Sequence, residues 1–250
     1  MREFTKDSLH VKVFETRTEL GEVAAEAFAK KVAEVLESNE YVNIIFASAP
    51  SQNEFLENLK KKNIEWNRVN AFHMDEYVGL GLDAPAGFGY YLNERLFSAV
   101  TCREVHYLNG IADPEEECKR YTGLLIKYPT DIVCLGIGEN THLAFNDPHV
   151  ADFKDPKIVK VVDLDEQCRL QQVNDGCFPS LDKVPVYALT ITIPALFKSG
   201  YASAVVPGPL KADAIYHTLM SDISEKYPST ILRTHPDAVL FIDEKSAQKL

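Results

Sequence analysis

Short apolar runs alternate with amphipathic helical segments along nearly the whole chain, and this alternation most constrains what the chain can fold into. In "TRTELGEVAAEAFAKKVAEVLESN", Leu20, Val23, Ala24, Ala27, Phe28, Val32, Val35 and Leu36 recur at steps of three or four residues, the mark of a helix with one buried face. "YVNIIFA" follows, too short for a helix and rich in β-branched residues, so it reads as a buried strand. "SQNEFLENLKKK" returns to helical spacing and "RVNAFHM" to a strand. Further helices are expected at "AGFGYYLNERLF", at "PLKADAIYHTLM" and at "PEEECKRYTGLLIKY", where Pro114 and three acids mark a helix start. Further strands are expected at "EVHYL", "DIVCLGIG", "KIVKVVDL", "VYALTIT", "ASAVVP" and "DAVLFID". Buried strands alternating with helices imply an α/β three-layer sandwich, a mainly parallel central sheet covered on both faces. No linker, repeat or low-complexity tract interrupts the 250 residues. One domain spanning 1–250 is therefore expected.

Composition narrows the classes of function. The net charge of −11 disfavours general nucleic-acid binding, which works by neutralising phosphates. It also means that any anionic ligand needs local cations or helix N-termini to overcome the global field. No run of about 18 apolar residues is present, so no membrane span is expected. "MREFTKDSLHVKVFE" has no apolar signal core, and a cytoplasmic protein is the expectation. The five cysteines are scattered without a Cys-x-x-Cys pair, which argues against a zinc ribbon or redox motif.

In parallel sheets, ligands bind beyond the C-terminal ends of strands, so the stretches following strands carry the functional information. Four stand out: "ASAPSQNEF", "HMDEYVGLG", "GIGENTHLAFNDP" and "VPGPLKAD". In the third, Gly136 and Gly138 invite a dinucleotide reading, but Thr141 stands where G-x-G-x-x-G needs its last glycine. The glycines serve instead as a tight turn that presents His142 at the mouth of the sheet. Asp147 can orient that imidazole, with Asn140 nearby, and a histidine so held can act as acid or base near neutral pH. In the second stretch, Asp75 and Glu76 follow a strand directly. Successive residues of an extended segment point opposite ways, so one is expected to face the site and the other to support it. A carboxylate against a partly apolar wall has its pKa raised toward neutrality.

The other stretches supply candidates for an anion site. Lys211 falls in the first turn of an expected helix, where free backbone N–H groups and a cation together favour an anion. Arg169 in "CRLQQ" can grip a phosphate through two parallel hydrogen bonds. Ser48, Ser51 and Gln52 lie at another strand-to-helix turn.

"FHMDEYVGL", "GIGENTHLAFNDP", "VPVYALTITIPAL" and "ILRTHPDAVLFID", in this order over roughly residues 40 to 245, resemble the glucosamine-6-phosphate deaminase (isomerase) family. The wider superfamily also holds 6-phosphogluconolactonases, whose histidine motif lacks the "AFN-x-P" ending. The resemblance implies a Rossmann-like α/β fold and no cofactor. It implies an enzyme of amino-sugar metabolism that opens the ring of a glucosamine or galactosamine 6-phosphate, moves a proton between C2 and C1, and releases ammonia. On that resemblance Asp75 is the base and His142 assists ring opening, with Asn140 and Asp147 as its helpers. Ser48, Ser51, Arg169 and Lys211 match or lie near phosphate contacts, and Gln52, Glu76 and Gly138 complete the expected substrate-binding set. The expected partner is a small sugar phosphate, with no nucleic acid and no membrane. Homo-oligomerisation is left open.

The chain departs from the family pattern at four places. Asn140 stands for an aspartate, Thr141 for a glycine and Asp147 for a glutamate, and "SAPSQ" replaces a glycine-rich phosphate turn. Pro50 offers no N–H, so a phosphate cradle there must be built differently, with Ser51 and Gln52 as candidates. These departures keep two alternatives open: a lactone hydrolase, which would use His142 to activate water without Asp75, and a sugar-phosphate sensor without turnover.

Overall fold

The computed structural model describes all 250 residues. An N-terminal hairpin of β1 (Arg2–Lys6) and β2 (Leu9–Phe14) precedes the long helix α1 (Arg17–Ser38) and strand β3 (Val42–Phe46). Then follow α2 (Asn53–Leu59), β4 (Val69–His73), β5 (Asp75–Tyr77), α3 (Phe88–Arg95), β6 (Glu104–His106), α4 (Pro114–Lys127) and β7 (Ile132–Leu135). The C-terminal part adds β8 (Val159–Asp163), α5 (Glu166–Asn174), β9 (Tyr187–Ile191), the single turn α6 (Ile193–Leu196), β10 (Tyr201–Val206), α7 (Ala212–Met220) and β11 (Ala238–Asp243).

Eight strands form one sheet in the order β1-β2-β11-β10-β7-β3-β4-β6. Every pairing in it is parallel except that of β1 with β2. The expected layering holds, and alternation along the strands explains it. On β3, Val42, Ile44 and Phe46 join the core beneath α1, α2 and α3, while Ile45 joins the core beneath α4 and α7. On β7, Ile132 and Cys134 face the first of these cores and Val133 and Leu135 the second. A strand buried on both faces needs such a continuous apolar run. The helix ends also follow their sequence signals. Thr16 caps α1 by accepting from Glu19 N at 3.2 Å, and Asp113 caps α4 before Pro114.

Three features go beyond what periodicity indicated. The hairpin β1–β2 extends the sheet at one edge. The "DEY" segment, expected as a loop, is strand β5, which pairs antiparallel with β9. With β8 on the far side of β9, these strands make a second, three-stranded sheet. It closes over a small aromatic core of Tyr77, Phe88, Phe145 and Phe178. Finally, Lys211 lies in a 3-10 turn (Pro209–Lys211) rather than in the helix proper, at the residue just before α7.

Because the strands are parallel, β10, β7, β3 and β4 end side by side at one edge of the main sheet. The four stretches singled out in the sequence leave from that edge. No helix is long and apolar enough to cross a membrane. All five cysteines are free.

Candidate active site

An open cleft of about 470 Å³ lies at this edge, lined among others by Ser48, Ser51, Asp75, Gly138, His142, Gln172 and Lys211. Met74, Phe88, Ile137 and Phe145 give it an apolar wall. It brings together residues that follow β3, β4, β7 and β10, among them Ser48 and Lys211, 163 positions apart in sequence.

Asp75 is buried at the start of β5 and has no hydrogen-bonding partner for its carboxylate. Its pKa is pushed well above the ordinary carboxylate range, first by burial and then by the negative charges of Glu76 and Asp147. Glu76 points the other way, as alternation requires. Its carboxylate accepts from the backbone N–H groups of Tyr77 (2.9 Å), Phe88 (3.1 Å) and Gly89 (2.8 Å). It thereby ties β5 to the N-terminus of α3 and is not brought into the cleft.

His142 projects from the loop after β7. That loop carries two residues in the left-handed region, Thr141 (φ 72°) and Ala144 (φ 49°). The turn at 138–142 is closed by hydrogen bonds from Gly138 N to His142 O and from Thr141 N to Gly138 O. His142 Nδ1 lies 2.7 Å from Asn140 Oδ1 and 3.0 Å from Asp147 Oδ1, while Nε2 has no partner in the protein. Asp147 is fully buried behind the imidazole. Burial alone would raise its pKa, but hydrogen bonds and charge from His142, with hydrogen bonds from Asn140 and the Asp165 N–H, hold it below the ordinary value. Asn140 sits behind His142 rather than in the cleft wall. Its Nδ2 donates to Asp147 Oδ1 and to Asp165 Oδ2, both at 3.0 Å.

The opposite end of the cleft is cationic. Lys211 is buried, with no carboxylate within ion-pairing distance, and burial depresses its pKa against the pull of Asp175 and Glu139. Ser48 Oγ is buried and unpartnered beside it in the lining. Ser51 accepts from Gln52 Nε2 at 3.1 Å, and the same Nε2 donates to Val205 O at 3.0 Å. Gln52 thus anchors the turn from beneath, with Ser51 presented to the cleft. Beyond Lys211 the cleft opens into a wider mouth of about 930 Å³ bordered by Arg17, Asn53 and Asp175.

Arg169 is not brought to the cleft. Its Nη2 donates to Leu181 O (2.7 Å) and Val184 O (2.9 Å), pinning the segment after α5. Helix geometry accounts for this. Cys168, Gln171 and Gln172 share the buried face of α5 at i, i+3 and i+4, which turns residue 169 aside. Sequence reasoning passed over Gln171, whose Oε1 accepts from Glu139 N at 2.8 Å, and Gln172, which lines the cleft. Both lie in the same "CRLQQ" run, where the arginine drew attention away from its neighbours. It also passed over Asp165, whose aspartate-before-helix signal reads only as a cap.

A family model described as glucosamine-6-phosphate isomerases/6-phosphogluconolactonase matches residues 15–241. A glucosamine-6-phosphate deaminase of Bacillus cereus (strain G9842) is 33% identical over 239 residues, covering 95% of this chain and 88% of its own. Among solved structures, one of a monomeric glucosamine-6-phosphate deaminase has a TM-score of 0.87 at 32% identity, covering 96% of this chain and 99% of its own. A 6-phosphogluconolactonase from Thermotoga maritima has a TM-score of 0.77 at 22% identity, covering 94% and 99%, a likeness of fold alone.

Proposed function

This chain belongs to the glucosamine-6-phosphate isomerase/6-phosphogluconolactonase family, and on that premise we propose that it converts a hexosamine 6-phosphate, glucosamine or galactosamine 6-phosphate, into a ketohexose 6-phosphate with release of ammonia. The deaminase-named relatives at 33% and 32% identity favour this branch over the lactonases. One observation carries the reading within the site: Asp75, a buried carboxylate with no partner, shares the cleft with a histidine whose outward nitrogen is free.

In this reading the sugar phosphate lies with its anion at Lys211, Ser48 and Ser51 and its ring carbons toward Asp75 and His142. His142 Nε2 takes the proton of the anomeric hydroxyl and returns one to the ring oxygen, opening the ring. Asp75 removes the proton from C2 and delivers it to C1. A carboxylate whose pKa is raised toward neutrality suits both halves of that transfer. The C1 carbonyl oxygen takes a proton from the substrate's own ammonium group, so that C1 becomes a hydroxymethyl carbon and C2 an imine; water adds to C2, and ammonia leaves as the ketone forms. The whole chain, 1–250, acts as one domain on a small sugar phosphate in the cytoplasm.

Incubation with glucosamine 6-phosphate and with galactosamine 6-phosphate, reading ammonia and ketose phosphate, tests the proposal. No ammonia from either rejects it. Hydrolysis of 6-phosphogluconolactone that survives Asp75→Asn would select a hydrolase instead. Tight binding of the hexosamine phosphates without turnover would select a sensor.

A further inference from the structure

We infer that Asp165 is a positioning residue that fixes the tautomer of His142 by locking the amide of Asn140. The inference rests on reading His142 as the acid–base group of the site.

The argument is one of donors and acceptors. An asparagine amide can be turned by half a rotation, exchanging its oxygen and nitrogen, and only the surrounding groups decide which way it faces. Here one end of the Asn140 amide meets two carboxylate oxygens, Asp147 Oδ1 and Asp165 Oδ2, each at 3.0 Å. An ionised carboxylate only accepts, so this end is the NH2 group. The oxygen is then turned to His142, where it accepts from the backbone N–H at 3.1 Å and lies 2.7 Å from Nδ1. Since Asn140 Oδ1 and Asp147 Oδ1 both accept, Nδ1 must carry the proton. Nε2 is left with its lone pair toward the cleft, the only tautomer in which neutral His142 can take a proton from a ligand there.

Asp165 is the part of this lock that touches neither His142 nor the cleft. Its two side-chain oxygens have separate partners: Oδ2 accepts from Asn140, and Oδ1 caps α5 by accepting from Cys168 N at 2.6 Å. Its backbone N–H donates to Asp147 Oδ2 at 3.3 Å, which the side chain does not control. Without the Asp165 carboxylate, the Asn140 NH2 keeps one acceptor instead of two. The flipped amide still sets its oxygen against Asp147 Oδ1 and its NH2 against the His142 N–H, but one opposing hydrogen bond is gone, so it is populated more than in the wild type and there favours the proton on Nε2.

Asp165→Asn is the sharpest probe. Asparagine also caps helices well, but it has one acceptor oxygen where the cap and Asn140 need two. Asp165→Ser is the second variant, capping by itself and too short to reach Asn140. Two-bond nitrogen–proton correlations of the imidazole report the tautomer, with His142 assigned through His142→Gln. In the wild-type protein His142 is expected as the Nδ1–H form. In both variants a raised Nε2–H population is expected, with kcat on the hexosamine phosphate reduced in proportion to the Nδ1–H fraction that remains and KM within about twofold. His142 remaining wholly Nδ1–H in both variants overturns the inference, whatever happens to kcat. A changed tautomer with unchanged kcat overturns it as well. If the wild type turns over neither hexosamine phosphate, the proposed function fails, while the tautomer measurement still judges the lock.

Discussion

Gly138 and His142 share a space that holds only one side chain. A Cβ placed on Gly138 would lie 2.1 Å from Cε1 of His142 and 2.3 Å from both ring nitrogens. The glycine is therefore required by the imidazole, since it makes the floor on which the ring rests. Gly138→Ala must push His142 off Asn140 and Asp147. Activity should fall by about 100-fold or more, in line with a misplacement of about 1 Å. Far-UV circular dichroism should remain unchanged. A variant retaining wild-type kcat would show that His142 can work from another position.

Asp75 is expected to trade stability against chemistry. Its pKa in the folded protein lies above that of the unfolded chain, so folding binds a proton in the interval between the two values. Stability therefore declines as pH rises from the ordinary carboxylate pKa through the raised one. Asp75→Asn removes that penalty. The variant should unfold at a higher temperature than wild type at pH 8 and at nearly the same temperature at pH 3.5, while losing the proton shift. An equal or lower melting temperature at pH 8 would contradict the burial argument.

Lys211 carries the opposite sign. Burial lowers its pKa, so the folded state binds fewer protons than the unfolded chain in the interval below the ordinary lysine value, and stability rises with pH there. At neutral pH an anion is what the buried ammonium lacks. Inorganic phosphate should raise the melting temperature of the wild type and have little effect on Lys211→Met. The KM for a hexosamine phosphate should rise roughly 10- to 100-fold in that variant, the range of one charge-assisted hydrogen bond. An unchanged KM would place the phosphate elsewhere in the cleft.

Thr141 is strained. It is a β-branched residue at φ 72°, and its buried hydroxyl has no partner. Thr141→Gly should stabilise the protein by about 1 kcal/mol, the strain relieved less the entropy that glycine loses on folding. That corresponds to a melting temperature higher by roughly 2–4 °C. Destabilisation would mean that the threonine methyl contributes packing that outweighs the backbone cost.

What could be read in advance divides along physical lines. The parallel sheet was legible because β3, β4, β7 and β10 are buried on both faces and so are mostly apolar. His142 and Asp75 were legible because they follow such strands directly. β5 was not, because "DEY" has no apolar run and owes its strand to pairing with β9. Arg169 misled because a residue's chemistry does not say which way a helix faces. Its fate was set by Cys168, Gln171 and Gln172 taking the buried side. Asp165 was invisible as anything but a cap, because its second role depends on Asn140 arriving from another loop.

Asp75 opposes Thr190 across the small sheet, while His142 is carried by the loop after β7 in the large one. The two proton-handling groups thus belong to different sheets, and both sheets close only when distant parts of the chain meet, β5 with β9 in one and β2 with β11 in the other. Closing so long a loop is slow compared with forming helices. During refolding, helical signal can return while Asp75 still lacks its partner strand. Recovery of turnover would then trail recovery of secondary structure, which makes the enzyme's own activity a clock for the last step of its assembly.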